Sequence, residues 1–417
     1  MITDDHQLGY HISMIMTPKC ALIALALVVF SFGLRVRGAE LPTVEKVKLI
    51  RIPEEGIQPQ VALDNQGTLH LIYYKGDAKG GDIFYVTSKD AGNTFSAALR
   101  VNGVSESAVA AGTIRGAQLA LGPGGQVHVA WNGSAKAKPR GPLNPEQAAD
   151  SPYNGTPMLY ARLNARRTAF EPERNLMQHT FALDGGGSIA ADRAGNVYVA
   201  WHGSTNGAPK GEGGRRVWLA VSRDGGTSFA PETAVSDIST GACACCGLRI
   251  FVDRANRVSI LYRSARDVVN RDIYLLTSKD QGKTFRSTML HPWNIGACPM
   301  SSMHFADVSA SMLGAWETQE QVYFSRLNPV TLQNSEPLSP PGTAKKRKHP
   351  WLAGNSSGDM ILLWTENTGW AKGGDLAWQV FDKTGKPKGD QGRLASIPAW
   401  SFGVAYARPD GGFSVIF

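Results

Sequence analysis

Three octapeptides decide the fold of this chain: SKDAGNTF at Ser88–Phe95, SRDGGTSF at Ser222–Phe229 and SKDQGKTF at Ser278–Phe285. All three share the pattern Ser-x-Asp-x-Gly-x-Thr/Ser-Phe. In such a pattern the Ser and Asp side chains bond backbone amides of a tight turn, and the Gly takes the left-handed conformation. Each octapeptide therefore predicts a turn at the end of a β-strand, with its Phe anchored in the sheet.

A longer repeat surrounds these turns. Its unit is an apolar stretch, a Gly/Asn/Asp turn and a strand that ends in aromatic residues, a pattern typical of paired antiparallel strands. The copies begin at Pro59, Ala117, Ser188, Leu248, Met303, His349 and Ser401. Their turns lie roughly 45 to 70 residues apart, which leaves room for four strands in each unit.

The repeat predicts an all-β fold, a β-propeller of six to seven four-stranded blades. The last copy ends at Phe417 after two strands, and the segment VEKVKLIRI from Val44 can supply an outer strand that closes the ring. We therefore expect six full blades and a composite seventh, with a plain six-bladed ring as the alternative.

The composition agrees with a globular, turn-rich protein. The 417 residues are 42% hydrophobic and only 19% charged, with 46 glycines and 23 prolines, whereas disordered chains and coiled coils carry more charge. The formal net charge of +8 is scattered, apart from the basic run Lys345–Lys348. We expect no nucleic-acid partner, because a single short basic run is more often a solvated loop.

The N-terminal segment has the order of a secretory signal. Ala21–Phe32 is an unbroken run of apolar or small residues, preceded by a lysine and followed by small residues. This run is too short for a comfortable membrane span. We predict a signal peptide at residues 1–39, with the true start at Met14 or Met16, and one propeller domain at 40–417. The mature protein would then be exported, periplasmic or extracellular, without a stable membrane span.

The three octapeptides resemble the Asp-box of the sialidase (neuraminidase) superfamily, also called the bacterial neuraminidase repeat. Together with the blade pattern, the resemblance covers the chain from about Val44 to Phe417. It implies a sialidase-like propeller that acts on or binds glycans, with exo-glycosidase activity on anionic sugars as one form. No cofactor is expected, and the expected partner is a glycan or another anionic small molecule. The oligomeric state is not indicated.

Sialidases use a Tyr nucleophile polarised by a Glu, and an Asp as acid/base. The resemblance implies Tyr323 with Glu317 or Glu320 as the nucleophile pair, and Asp267 and Asp272 as acids on the loop-rich face. Acid/base pairs of this kind suit glycoside hydrolysis in general.

Sialidases also hold the substrate carboxylate with three arginines, the first in an Arg-Ile-Pro motif. Arg51-Ile52-Pro53 resembles that motif, but it lies farther from the first blade's turn at Gly67 than the family motif does. Of the family arginines, only Arg249 falls at a plausible place. Strict sialidase activity is therefore not expected.

The long connections between strands should all lie on one face of the ring, and binding residues concentrate on long loops. First-strand residues nearest that face should point toward the central channel. The candidate substrate-binding residues on this face are Arg115, Arg249, Arg263, Arg271, His304 and His349. Arginine binds carboxylate, sulfate or phosphate groups bidentately, although each arginine could instead pair with a loop carboxylate.

Four cysteines outside the signal segment lie in two segments, GACACCG and NIGACPMSSMHF, which should meet on the loop-rich face. In an exported protein they predict two disulfides, because Cys245 and Cys246 are too close to bond each other without strain. Cys298 would join Cys245 or Cys246, and Cys243 the other. The alternative is a soft copper(I) or zinc site, with ligands drawn from Cys243, Cys245, Cys246, Cys298, Met300 and His304.

Three functions therefore stay open: a glycoside hydrolase, a non-catalytic propeller that binds carbohydrate or protein, and a metal-binding propeller. Paired carboxylates about 5 to 10 Å apart in the channel would favour the enzyme. Arginine and aromatic residues without such a pair would favour binding.

Overall fold

Seven separate β-sheets make up the part of the chain that the computed structural model describes, residues 46–417. Five sheets have four strands and two have three. The predicted signal peptide at 1–39 lies outside the described residues. Among the described helices, none has both the length and the apolar character needed to cross a membrane.

The first strand, β1 (Val47–Ile50), belongs to the last blade, and the remaining strands follow blade by blade. Blade one contains β2 (Ile57–Leu63), β3 (Leu69–Asp77), β4 (Gly80–Ser88) and β5 (Leu99–Arg100). Blade two contains β6 (Gln118–Leu121), β7 (Val127–Asn132), β8 (Met158–Arg162) and β9 (Arg174–Asn175). Blade three contains β10 (Ser188–Ala191), β11 (Val197–Gly203), β12 (Arg216–Ser222) and β13 (Thr233–Ala234).

Blade four contains β14 (Arg249–Val252), β15 (Val258–Arg263), β16 (Ile273–Ser278) and β17 (Arg286–His291). Blade five contains β18 (Met303–Val308), β19 (Ser311–Thr318) and β20 (Gln321–Leu327). Blade six contains β21 (Lys348–Gly354), β22 (Met360–Glu366), β23 (Gly374–Phe381) and β24 (Pro387–Ile397). Blade seven adds β25 (Val404–Ala407) and β26 (Phe413–Ile416) to β1. Short 3-10 turns lie at Pro53–Glu55, Pro123–Gly125, Glu212–Gly214 and Ile238–Thr240.

The ring has seven blades and closes as the sequence predicts. β1 pairs with β26 in parallel, from Val47 opposite Phe413 to Ile50 opposite Ile416, so both ends of the described chain share one blade. The six-bladed alternative is wrong. Blade five departs from the four-stranded pattern, because two isolated bridges, Phe324 to Leu338 and Leu327 to Asn334, stand where its fourth strand would be.

The hydrophobic core lies between neighbouring blades. One cluster joins strands of blades one and two, and its buried members include Ile72, Tyr74, Ile83, Val127, Val129, Trp131 and Leu159. Trp131, Trp201 and Trp316 lie at or near the ends of second strands and are fully buried. Because each blade buries apolar surface against the next, the hydrophobic effect holds the ring together. The first strand of each blade is the one that lines the ring axis.

The three octapeptides form the predicted turns with identical hydrogen bonds. In the first, the Gly92 amide donates to Ser88 Oγ (2.8 Å) and the Thr94 amide donates to Asp90 Oδ1 (2.9 Å). The equivalent distances in the other two copies are the same. Gly92 has a φ of 83°, in the left-handed region that the pattern requires.

The strand register separates two faces of the ring. In blade four, Val258 pairs with both Val252 and Ser278, so the octapeptide turn lies where β14 ends. Arg249 pairs with Leu261 at the opposite end of β14. The octapeptide turn and Arg249 therefore lie on opposite faces of the ring.

Candidate functional site

All seven blades contribute residues to one cavity, here called the channel mouth. Its lining comes from first strands or the residues just before them: Gln60, Thr113, Ile114, Gly116, Gln118, Gly187, Gly247, Leu248, Arg249, Ser302, Met303, His304, His349, Pro350, Trp351 and Phe402. A cavity lined by every blade must lie on the ring axis, at the end where the first strands begin. Its volume is about 50 Å³, enough for a few water molecules or a small charged group.

Arg249 is the only lining residue with a fixed charge. Its Nη2 lies 3.2 Å from Gln60 Oε1, and its Nη1 donates to Gln118 Oε1. The guanidinium carbon lies 5.3 Å from the centre of the Trp351 ring. Burial lowers the pKa of Arg249 to about 10, so the side chain is still a cation at neutral pH. Its acceptors among the lining residues are amide oxygens.

The two histidines at the channel mouth are neutral. His304 stacks on Trp351 with ring centres 3.9 Å apart, and its Nδ1 accepts a hydrogen bond from the Leu352 amide (3.2 Å). Burial, together with the Arg249 charge, places the pKa of His304 well below its ordinary value. Burial lowers the pKa of His349 to about 4. A neutral imidazole has one donor and one acceptor nitrogen, which suits hydroxyl groups.

Glu317 lies next to the channel mouth and joins blade five to blade six. Its Oε1 accepts hydrogen bonds from the backbone amides of Ser302 (3.0 Å) and His349 (2.8 Å), and its Oε2 lies 3.0 Å from Lys348 Nζ. Burial alone would raise the pKa of Glu317, but Lys348, His349 and the two amides lower it. Glu317 is thus a buried carboxylate whose contacts among the described residues hold blades five and six together.

The predicted nucleophile pair is wrong. Trp316 pairs with Tyr323, and Glu317 pairs with Val322, so Glu317 and Tyr323 point to opposite faces of the sheet. Tyr323 instead packs edge-on against His291, with ring centres 4.7 Å apart. The alternative partner, Glu320, is exposed in the turn between β19 and β20.

The two predicted acids do not line the channel mouth either. Asp267 is exposed and accepts a hydrogen bond from Asn270 Nδ2 (3.1 Å) within its own loop. Asp272 is buried and accepts the Trp293 amide (2.9 Å). An acid in glycoside hydrolysis must reach the glycosidic oxygen, so both assignments are wrong for a substrate in this cavity.

Three of the predicted substrate-binding arginines already pair with or donate to other groups of the protein. Arg115 pairs with Asp184 (Nη2 to Oδ1, 2.5 Å), which is the loop-carboxylate alternative. Arg271 pairs with Glu212 (2.5 Å). Arg263 is almost fully buried, and its Nε donates to Ser301 Oγ at 2.6 Å. None of the three lines the channel mouth.

The family's first-arginine motif also falls elsewhere. The Arg51 side chain is exposed and lies over the Phe417 ring, 5.0 Å from its centre. This position agrees with the spacing argument against the motif. Of the predicted binding residues, the structure brings together Arg249, His304 and His349.

Gln60, Gln118 and Trp351 surround Arg249, and the sequence arguments did not single out Gln118 or Trp351. Each of the three precedes the turn glycine of its own repeat by the same distance. Repeat position was therefore the signal that could have identified them, because equivalent first-strand positions of a propeller face one channel.

The four cysteines meet beside the channel mouth. Cys298 forms a disulfide with Cys245, as one of the two predicted pairings has it. Cys243 and Cys246 are free thiols with sulfur atoms 3.0 Å apart, so the second disulfide is not formed. His304 stacks on Trp351 and accepts the Leu352 amide instead, so it does not act as the imidazole ligand of the alternative metal site.

Comparisons with known proteins support the fold and no more. No protein-family model and no curated sequence matches the chain. A structure from Dyadobacter fermentans, described as a protein of unknown function, has a TM-score of 0.50 at 13% identity, covering 81% of this chain and 97% of that one. The Hadza microbial sialidase Hz136 has a TM-score of 0.49 at 11% identity, covering 78% and 65%. The Trypanosoma rangeli sialidase has a TM-score of 0.48 at 11% identity, covering 78% and 54%.

Proposed function

We propose that this protein is a sialidase-like propeller that binds the acidic end group of a glycan at the channel mouth without hydrolysing it. The observation that carries the proposal is Arg249, a half-buried cation on the ring axis whose neighbours are amide oxygens and an aromatic face. A cation in such surroundings favours an anion from solution, because no carboxylate of the described residues pairs with it.

The rest of the channel mouth suits a sugar better than a bare inorganic anion. Phe402, which is half-buried, offers an apolar face of the kind that sugar rings pack against, and His304 and His349 offer neutral nitrogen atoms to hydroxyl groups. The cavity volume of about 50 Å³ admits a carboxylate or sulfate group, so the sugar ring that carries this group would remain outside the cavity. Because only one such group fits, we expect the site to recognise the end of a glycan chain.

Binding is preferred to hydrolysis because the lining contains neither a carboxylate nor a tyrosine. Glycoside hydrolases generally need two carboxylates, or a tyrosine nucleophile in the sialidase case. The Cys245–Cys298 disulfide supports the further proposal that the protein works outside the cytoplasm, in the periplasm or the extracellular space.

Calorimetric titration tests the proposal with 3′-sialyllactose and with neutral lactose as probes. We expect the acidic probe alone to bind, and Arg249→Gln to weaken that binding by about 10- to 100-fold, the value of one charge-assisted contact of about 1.5 to 3 kcal/mol. Arg254→Gln is the matched control, because Arg254 is exposed and pairs with Asp307 (2.7 Å).

Two results would overturn the proposal. Equal affinity of the Arg249→Gln and wild-type proteins would exclude the channel mouth as the site. Release of sialic acid from a fluorogenic sialoside by the wild type, lost in Arg249→Gln, would make the protein a hydrolase.

A further inference from the structure

The four cysteines place a disulfide and a pair of thiols in direct contact. Cys243 Sγ lies 3.6 Å from Cys245 Sγ, which belongs to the disulfide, and 3.0 Å from Cys246 Sγ. The sulfur atoms of Cys243, Cys245 and Cys246 all lie within 4.8 Å of one another. Exchange between a thiol and a disulfide needs this arrangement, because the attacking sulfur must reach a sulfur of the bond that breaks.

Buried cations favour a thiolate at this place. Arg271 is buried, and although its Nη2 pairs with Glu212, its Nε and Nη1 have no hydrogen-bond partner among the described residues. Arg263 is a second buried guanidinium close to the thiols. Arg271 and Arg263 bring two positive charges to the cysteines, and a thiolate neutralises part of that charge.

The two thiols differ in which one ionises. Burial would raise the pKa of Cys246, but the hydrogen bond from Cys243, the Arg263 charge and the hydrogen bonds from Ser301 outweigh burial and lower that pKa to about 6. The hydrogen bond to Cys246, burial and the Cys246 charge raise the pKa of Cys243. The pair is therefore held as one thiol that donates to one thiolate.

We propose that Cys243, Cys245, Cys246 and Cys298 form a thiol–disulfide exchange centre that reduces small disulfides from solution. Cys246 thiolate takes the proton of Cys243, and Cys243 attacks Cys245 Sγ. A Cys243–Cys245 bond forms, the Cys245–Cys298 bond breaks, and Cys298 leaves as a thiolate. Cys246 then attacks Cys243 and passes its proton to Cys245, which leaves as a thiol. One proton and one negative charge are conserved, and two electrons have moved from the inner pair to the outer pair.

Exposure assigns the outer pair its role. Cys298 is exposed, whereas Cys243, Cys245 and Cys246 are buried, so an external disulfide can reach only Cys298. Cys298 thiolate attacks one sulfur of that disulfide and releases a first thiolate. Cys245, on losing its proton, attacks Cys298 in the mixed disulfide, releases the second thiol and restores the Cys245–Cys298 bond. The external disulfide is reduced, and the inner pair is left as a Cys243–Cys246 disulfide.

The centre also adjoins the channel mouth. Gly247, which follows Cys246, donates its amide to Ser301 O (2.9 Å), and Ser301 precedes the lining residue Ser302. Closing or opening an inner disulfide therefore acts on the two segments that carry Arg249 and His304 into the cavity.

Oxidised glutathione tests the proposal on the purified full chain without oxygen. We expect the wild type to release two equivalents of glutathione per chain, and non-reducing peptide mapping after acid quenching to show both Cys245–Cys298 and Cys243–Cys246. Cys246→Ser should release no more than one equivalent and should leave Cys298 in a mixed disulfide, because the inner pair cannot close. Cys298→Ser should slow release at least tenfold, because the three remaining thiols are buried.

Mapping of the wild type alone keeps the test decisive if a variant does not fold. A wild type that keeps two thiols at Cys243 and Cys246 after incubation with oxidised glutathione would overturn the proposal. Release by Cys298→Ser at the wild-type rate would refute the route through Cys298. Stoichiometric copper or zinc that blocks oxidation of the thiols would replace exchange with metal binding.

Discussion

Replacing Glu317 by Gln tests whether this buried carboxylate is a structural link between blades five and six. The side chain accepts two backbone amides and the Ser302 hydroxyl (3.1 Å), and it pairs with Lys348, so the substitution removes the charge but keeps one acceptor oxygen. Breaking a buried ion pair costs about 3 to 5 kcal/mol when the partner stays buried. The Lys348 side chain is 21% exposed and also donates to Pro299 O, so we expect a smaller loss, about 2 to 3 kcal/mol.

That loss should lower the melting temperature by about 3 to 4 °C, given an unfolding entropy of about 2.1 cal/mol/K per residue over roughly 370 residues. Thermal unfolding followed by circular dichroism at pH 7 measures it, and Glu320→Gln is the control, because Glu320 is exposed in the adjacent turn. The pKa of Glu317 is lowered in the folded protein. Its charge therefore stabilises the fold above pH 4.5, and this contribution disappears as the pH falls through the lowered value.

The difference in melting temperature between wild type and Glu317→Gln should accordingly shrink below pH 4.5. A difference under 1 °C at pH 7, or a difference that stays constant down to pH 3, would refute the structural role. Loss of glycan binding with unchanged melting temperature would instead show that Glu317 takes part in glycan binding.

Two further predictions concern stability. Gly226→Ala should destabilise the protein by about 3 kcal/mol or more, because the new Cβ would lie 1.8 Å from Tyr160 Oη at a φ of 77°. Gly225→Ala is the control: at a φ of 67° its Cβ meets open space, so it should cost about 1 kcal/mol. Equal shifts of the urea midpoint in the two variants would contradict this prediction. Burial lowers the pKa of His128 and of His202 to about 4, below the unfolded value of 6.5, so their contribution to the free energy of unfolding should be constant above pH 6.5 and fall by up to about 1.4 kcal/mol per pH unit for each histidine between pH 6.5 and 4. Urea unfolding at pH 7 and pH 5 measures the fall, and a flat profile would exclude neutral buried histidines.

The fold was predictable because its information is local. A Ser, an Asp and a Gly within one octapeptide make the turn by themselves, and the repeat of such turns sets the number of blades. Ring closure was predictable for a similar reason. An apolar strand at Val47–Ile50 needs a partner, and blade seven has two strands of its own.

The site was less predictable because its contacts are distant in sequence. Arg249 and Arg263 lie on adjacent strands, but Arg263 donates to two groups of blade five that are distant in sequence, the Ser301 hydroxyl and the Glu317 backbone carbonyl. The false pair of Glu317 and Tyr323 has a different cause. The turn between β19 and β20 places Gln319 and Glu320 at φ values of 53° and 61°, which Gly, Asn or Asp usually occupy. The residue types of that turn did not indicate that the turn has two residues, and therefore did not indicate which residues pair across it.

Counting the acceptors of the four predicted substrate-binding arginines separates the roles that the sequence could not. Arg115 has a carboxylate, and Arg263 is bonded by a hydroxyl and backbone carbonyls, so both are complete within the fold. Arg271 has Glu212 but keeps two nitrogen atoms, Nε and Nη1, without a hydrogen-bond partner among the described residues, and this leaves charge beside the cysteines for a thiolate. Arg249 bonds neutral amide oxygens in a cavity open at the ring axis. Because an ion in a low-dielectric site is stabilised chiefly by an opposite charge, Arg249 is the one of these four arginines whose counter-ion we expect from solution.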